Sequence, residues 1–169
     1  MKAAITHGTY NFLVKLYQKH QDKKLFLMQG EDSTVAYYEG DSQLFETARE
    51  YETVVTDGAV KQGGFVVMNN IPVTEEGKPL FETQFKNRAG KMNQVPGFQA
   101  LRVLRPQRGN KYVVFVQWKD KKSFEQWKGS EHFASSHSSK KSEEKPPYSA
   151  GPSYSTEHWM ISEEDLQIR

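Results

Sequence analysis

Phe65-Val66-Val67-Met68-Asn69-Asn70-Ile71-Pro72-Val73 opens the part of the chain from which the architecture can be read. The run is apolar and β-branched enough for a strand, and Thr74-Glu75-Glu76-Gly77 behind it marks a turn. Residues 78–89 then carry Phe81, Phe85 and Ala89 four apart, with Pro79 in the first turn and Gly90 past the end. That spacing predicts a helix with an aromatic stripe. Residues 98–104 alternate and stop short of Pro106; Arg108-Gly109-Asn110 then turns the chain into residues 112–118. There Val114, Val116 and Trp118 share one face and Val113, Phe115 and Gln117 the other, so the two runs form a hairpin. Asp120 is suited to cap a helix that begins near Lys121, carries Phe124 and Trp127, and extends towards His137, weakened at Gly129-Ser130. Residues 138–151, rich in Ser, Lys, Glu and Pro, read as an exposed loop, and residues 156–161 as a returning strand. The order β-α-β-β-α-β is the ferredoxin-like plan, in the α+β class.

Working back from Phe65, residues 1–64 repeat this plan less clearly. Residues 2–6 read as a strand, Thr9 as a cap, and residues 10–19 as a helix with Phe12, Leu13, Leu16 and Tyr17 inward. Residues 25–28 and 35–38 make a second hairpin around the turn at 30–33, and residues 43–51 are expected to form a short helix. The Gly63-Gly64 pair separates the halves, 1–64 and 65–169. Two degenerate copies of one unit predict an intrachain pseudo-dimer, since each sheet has an apolar face that needs a cover. A monomer is expected.

The chain has 169 residues, no cysteine, and a formal charge of +2. The missing cysteines exclude disulfide scaffolds, thiolate metal sites and thiol nucleophiles. Residues 1–64 hold seven Lys/Arg against nine Asp/Glu, whereas residues 65–155 hold fifteen against eight. The middle of the chain can therefore attract an anion, but its cations are dispersed and no nucleic-acid motif accompanies them, so no nucleic-acid partner is expected. The longest apolar runs stop at four residues, too short for a transmembrane helix. Met1-Lys2-Ala3-Ala4-Ile5-Thr6-His7-Gly8 lacks signal-peptide features, and a cytoplasmic protein is expected. There is no phosphate-binding glycine loop, no G-x-S-x-G elbow and no H-E-x-x-H.

Several segments of the second half resemble the antibiotic-biosynthesis-monooxygenase superfamily, specifically its haem-degrading IsdG-like branch. They are residues 67–73, Phe85-Lys86-Asn87-Arg88-Ala89-Gly90, Val95-Pro96-Gly97-Phe98, residues 101–106 and Val116-Gln117-Trp118-Lys119-Asp120. Phe124-Glu125-Gln126-Trp127, Ser130-Glu131-His132-Phe133 and His137 complete the set. The spacing of Trp118, Trp127 and His137 is its most specific part. In the first half, residues 6–13 and Asp32-Ser33-Thr34-Val35 resemble the Gram-positive proteins designated signal-transduction protein TRAP.

The IsdG-like resemblance implies a haem-degrading monooxygenase in which haem is both substrate and cofactor. It implies that His137 is the axial ligand to the haem iron, with His132 as its rival. It also implies that Asn70 donates to iron-bound dioxygen, since a carboxamide facing an apolar pocket needs a partner. Asn69 would face the opposite way in a regular strand, so only one of the two can enter the pocket. Trp127 would pack on the porphyrin and press it out of plane, and Arg88 would hold a propionate. Dioxygen and an external electron donor, either a separate reductase or a small reductant, complete the expected chemistry, because the sequence carries no flavin or nicotinamide motif. The alternatives are a TRAP-type regulatory protein without catalysis and a cofactor-independent oxygenase. His7 falls in the TRAP-like motif without a physical role, and Ile161-Ser162-Glu163-Glu164-Asp165-Leu166 matches the core of a common epitope tag and is set aside.

Overall fold

In the computed structural model, which describes residues 1–88, 90–130 and 147–167, eight antiparallel strands close into one barrel. The elements run β1 (Lys2–Gly8), α1 (Tyr10–Lys19), β2 (Lys24–Gln29), β3 (Thr34–Glu39), β4 (Arg49–Gly58), β5 (Phe65–Pro72) and α2 (Lys78–Arg88). A 3-10 turn (Lys91–Gln94) leads to β6 (Phe98–Pro106), β7 (Lys111–Trp118), α3 (Lys121–Lys128), β8 (Tyr154–Met160) and α4 (Glu163–Gln167). Around the barrel the order is β1-β3-β2-β8-β5-β7-β6-β4. The first half therefore supplies β4-β1-β3-β2 and the second β8-β5-β7-β6, one ferredoxin-like sheet each with the same internal order. The seams are β2 with β8 and β4 with β6. The chain is its own pseudo-dimer.

Local chemistry places the helices where periodicity predicts them. Thr9 accepts a hydrogen bond from Phe12 N to start α1, and Asp120 accepts one from Ser123 N to start α3. Residues 43–51 depart from expectation. They do not form a helix: Arg49–Gly58 is strand β4. Its run Tyr51-Glu52-Thr53-Val54-Val55-Thr56 is β-branched, and both β1 and β6 offer it a hydrogen-bonding edge, which outweighs any helical preference. The preceding segment packs Phe45 into the cluster under α1, and Thr6 Oγ1 donates to Thr47 O. Residues 40–48 thus cover the first sheet where the second has a helix.

The barrel interior is filled by Ile5, Met28, Val35, Tyr37, Val66, Met68, Leu104, Val113 and Phe115 with their neighbours. Towards one end lies a buried ion pair, Arg102 Nε to Glu39 Oε2 at 2.7 Å, in which Tyr37 Oη also donates to Glu39. Arg102 further donates to three backbone carbonyls, so its buried charge is well compensated. Two carboxamides pin the inter-half connection: Gln62 bonds both backbone groups of Leu27, and Gln117 does the same at Lys61. Outside the barrel, α1 and α4 cover the first sheet, and α2 and α3 the second.

The tail set aside from sequence is integral to the fold. Leu166 is fully buried against Leu13, Leu25 and Phe45, and its carbonyl accepts from Gln18. No helix among the described residues is long and apolar enough to cross a membrane.

Candidate functional site

The second sheet presents its outer face to α2 and α3, and the alternation of β5 decides which side chains reach it. Pairing is regular from Phe65 opposite Trp118 to Pro72 opposite Lys111, and from Phe65 opposite Trp159 to Asn70 opposite Tyr154. With no bulge, Val66, Met68 and Asn70 share the barrel face, and Phe65, Val67, Asn69 and Ile71 the helix face.

Asn70 therefore turns away from the helices. It is buried at the barrel interior, and its Nδ2 donates to Met68 O at 3.3 Å and Tyr154 O at 3.5 Å. The structure does not bring Asn70 and Trp127 together, because the sheet lies between them. The residue on the helix face is Asn69. It lies between two apolar clusters, Phe65, Val67, Val95, Trp118 and Trp127 on one side and Ile71, Val73, Phe81 and Val114 on the other. Its side chain is half-buried and has no hydrogen-bond partner among the described residues. No sequence signal singled it out, because the run is apolar on both faces and two adjacent asparagines leave the parity open.

Trp127 sits on α3 and is half-buried against Trp118 and Phe124, at ring-centroid distances of 5.4 Å and 6.4 Å. Trp118 is fully buried, and its Nε1–H has no acceptor among the described residues. Arg88 ends α2, exposed, with its guanidinium 5.8 Å from the Phe85 ring centroid and close enough to Tyr148 to act on its ionisation. Burial raises the Tyr148 hydroxyl above its ordinary value, and Arg88 opposes the shift. His137 and His132 lie outside the described residues.

A carboxylate that sequence reasoning missed fixes α2 over this face. Glu82, one residue past Phe81 and itself buried, accepts from Arg105 Nε at 2.8 Å and from Arg105 Nη2 at 2.7 Å, and also from the Tyr112 hydroxyl. The bidentate arginine holds the Glu82 carboxyl below its usual range despite burial, and burial together with Glu82 raises the Tyr112 hydroxyl. A polar residue on the buried side of an aromatic stripe was its signal. Phe81 meets Phe85, Tyr112 and Tyr148 beside it.

The helix face thus presents aromatic side chains on both sides of one carboxamide that has no hydrogen-bond partner among the described residues. Away from this face, the two TRAP-like segments meet: His7 Nδ1 lies 3.0 Å from Ser33 Oγ in a shallow depression beside the start of α1.

Residues 64–138 match the family model for antibiotic biosynthesis monooxygenase. The chain is 26% identical over 130 residues to a heme-degrading monooxygenase of Listeria monocytogenes, covering 76% of this chain and 78% of that protein. It is 27% identical over 133 residues to signal transduction protein TRAP of Staphylococcus aureus, covering 78% and 80%. Among solved structures, a major regulator of staphylococcal pathogenesis superposes with a TM-score of 0.81 at 22% identity, covering 96% of this chain and all of that one. A heme-degrading enzyme from Listeria monocytogenes superposes at 0.75 and 21% identity, covering 95% of this chain and 100% of that one. These superpositions establish the shared fold. The segment that matches this family model spans α2, α3 and the strands β5 to β7 beneath them.

Proposed function

We propose that this protein is a haem-degrading monooxygenase, with haem as its substrate on the helix face of the second sheet. The observation that carries the reading is Asn69: a carboxamide without a partner among the described residues, held between two aromatic-rich clusters on the same face as Trp127. The heme-degrading Listeria relative supports it. In this reading His137 would hold the haem iron, Asn69 would donate a hydrogen bond to the dioxygen that reacts there, Trp127 would pack on the ring, and Arg88 at the end of α2 would meet a propionate. The haem iron supplies the oxygen chemistry with dioxygen and electrons from outside the chain. The chain's own work is positioning and exclusion of water.

The test is to add haemin to the purified protein and follow the visible spectrum. A one-to-one Soret complex that bleaches with ascorbate under air is expected; no complex would overturn the reading and favour the regulatory role of the TRAP relatives. Asn69→Ala should bind haem nearly as well but degrade it at least about tenfold more slowly, because a donor to the bound oxygen acts late in the reaction. Asn70→Ala should leave turnover within about twofold of the parent, and the reverse ranking would return the role to Asn70. One haem per chain is expected, because Phe45 and residues 40–48 cover the first sheet where the second carries α3. Light scattering of the complex should give one chain, 19.5 kDa; twice that mass, or two haems per chain, would refute the pseudo-dimer as the functional unit.

A further inference from the structure

All three tryptophans of the chain belong to one aromatic array, although they come from β7, α3 and β8. Trp127 meets Trp118 at 5.4 Å between ring centroids, and Trp118 meets Phe124 at 6.0 Å. Phe124 meets Phe65 at 5.8 Å, and Phe65 meets Trp159 at 5.3 Å. The array runs from half-buried Trp127 on the proposed haem face, through fully buried Trp118 and Phe65, to the surface. There Trp159 is 46% exposed.

Lysines outnumber acids in residues 119–122, the start of α3 beside that exposed end. Lys121 Nζ lies 5.5 Å from the Trp159 ring centroid, and Lys119 and Lys122 flank it in sequence, both exposed. Asp120 accepts from Ser123 N and Oγ, which hold its carboxyl below the usual range, and Glu157 pairs with Lys121 at 3.2 Å, so residues 119–122 together with Glu157 carry one positive charge in excess. An exposed indole with Lys121 against its ring, and Lys119 and Lys122 beside Lys121 in sequence, has the composition of an interface centre with a steering rim.

We propose that Trp159 and the lysines at the start of α3 form the docking face for an anionic electron-donor protein, and that the aromatic array beneath connects this partner to the haem face. The inference rests on the reading above, which needs electrons and finds no donor group in the chain. Each transfer is a single step: the donor protein loses one electron, the iron of the bound haem gains it, and no bond or proton is exchanged. Tunnelling weakens steeply with each gap between groups, so closely packed rings make a better path than the same distance through solvent. Positive charge at the entry point raises the encounter rate with an acidic partner and makes it salt-dependent.

The test uses the full-length protein and an acidic flavodoxin as the probe. In the haem-free protein, titration with flavodoxin should shift the NMR signals of the Trp159 indole and of the amides at 119–128, and 0.5 M salt should abolish the shifts. In the anaerobic haem complex, Lys122→Glu and Trp159→Ala should each slow reduction by reduced flavodoxin at least about fivefold while leaving reduction by ascorbate unchanged. Lys122 is exposed, and among the described residues its side chain makes no hydrogen bond or ion pair, acting on Asp120 only through its charge, so this variant probes charge without disturbing packing. Shifts elsewhere in the molecule, equal shifts with heparin at matched charge, or unchanged flavodoxin rates would overturn the docking face. Failure to bind haem at all would instead overturn the functional reading, while the NMR titration would still decide whether the face recognises the donor.

Discussion

His158 makes the stability of the barrel depend on mild acid. It lies on β8 opposite Val66, so its ring enters the barrel, and it is 5% exposed. Nε2 is 2.9 Å from Thr156 Oγ1, whereas Nδ1 is buried with no hydrogen-bond partner among the described residues. The backbone at Gly30 closes over it: a Cβ there would stand 3.1 Å from Nδ1. Protonation would bury a second N–H and a charge beside His7, and burial first, His7 second, lower the His158 pKa from 6.5 to about 4. Because the folded value is depressed, the contribution is fully present above the unfolded pKa and is lost as pH falls from about 6.5 towards 4, where only the unfolded chain takes the proton readily. With these two values the loss relative to pH 7.5 is about 2 kcal/mol at pH 5 and about 3 kcal/mol at pH 4. Urea unfolding followed by tryptophan fluorescence at several pH values measures it, with His158→Gln as the non-titrating reference, so that other acid-sensitive groups cancel in the difference. The parent should lose about 2 kcal/mol more than His158→Gln between pH 7.5 and pH 5. Parallel pH profiles for the two proteins would refute the reasoning, whatever their absolute stabilities.

Two further substitutions probe the barrel and its tail. Arg102→Met leaves Glu39 buried with Tyr37 as its remaining side-chain partner and should cost about 3–5 kcal/mol by urea unfolding, and adding Glu39→Gln should recover part of that loss; a single-variant cost below about 1 kcal/mol would show that the interior charge is solvated. Leu166→Ala opens space under α1 and should cost about 2 kcal/mol, lowering Tm by roughly 4–8 °C; an unchanged Tm would mean that the tail does not contribute to the core.

Much of the second half was legible because its patterns are local. The aromatic stripe of α2, the Asp120 cap of α3 and the two-faced residues 112–118 each state their element within a few residues, and the structure shows all three. The Trp118, Trp127 and His137 spacing gave the family resemblance for the same reason. The sequence was less informative where a residue's fate depends on a distant partner. Residues 49–58 become a strand because β1 and β6 flank them, and nothing within the segment records that edge. The Ile161–Leu166 stretch looks dispensable until Leu166 is seen closing the space beside Leu13.

The candidate site divides along the same line. Sequence alone determined that one asparagine of the 69–70 pair could face the helices, because strand geometry forbids both. Which one does so was decided by the closing of the barrel: Val66 and Met68 face inward with Phe115 and Val113, which fixes the parity and sends Asn70 inside. Likewise, the three tryptophans, Glu82 with Arg105, and His158 beneath Gly30 are separated by 9 to 128 residues and acquire their environments only when two sheets and their helices are assembled. Periodicity within a few residues is written into the chain by backbone geometry. Contacts between distant segments depend on which faces must be buried together, and the assembled barrel alone settles that.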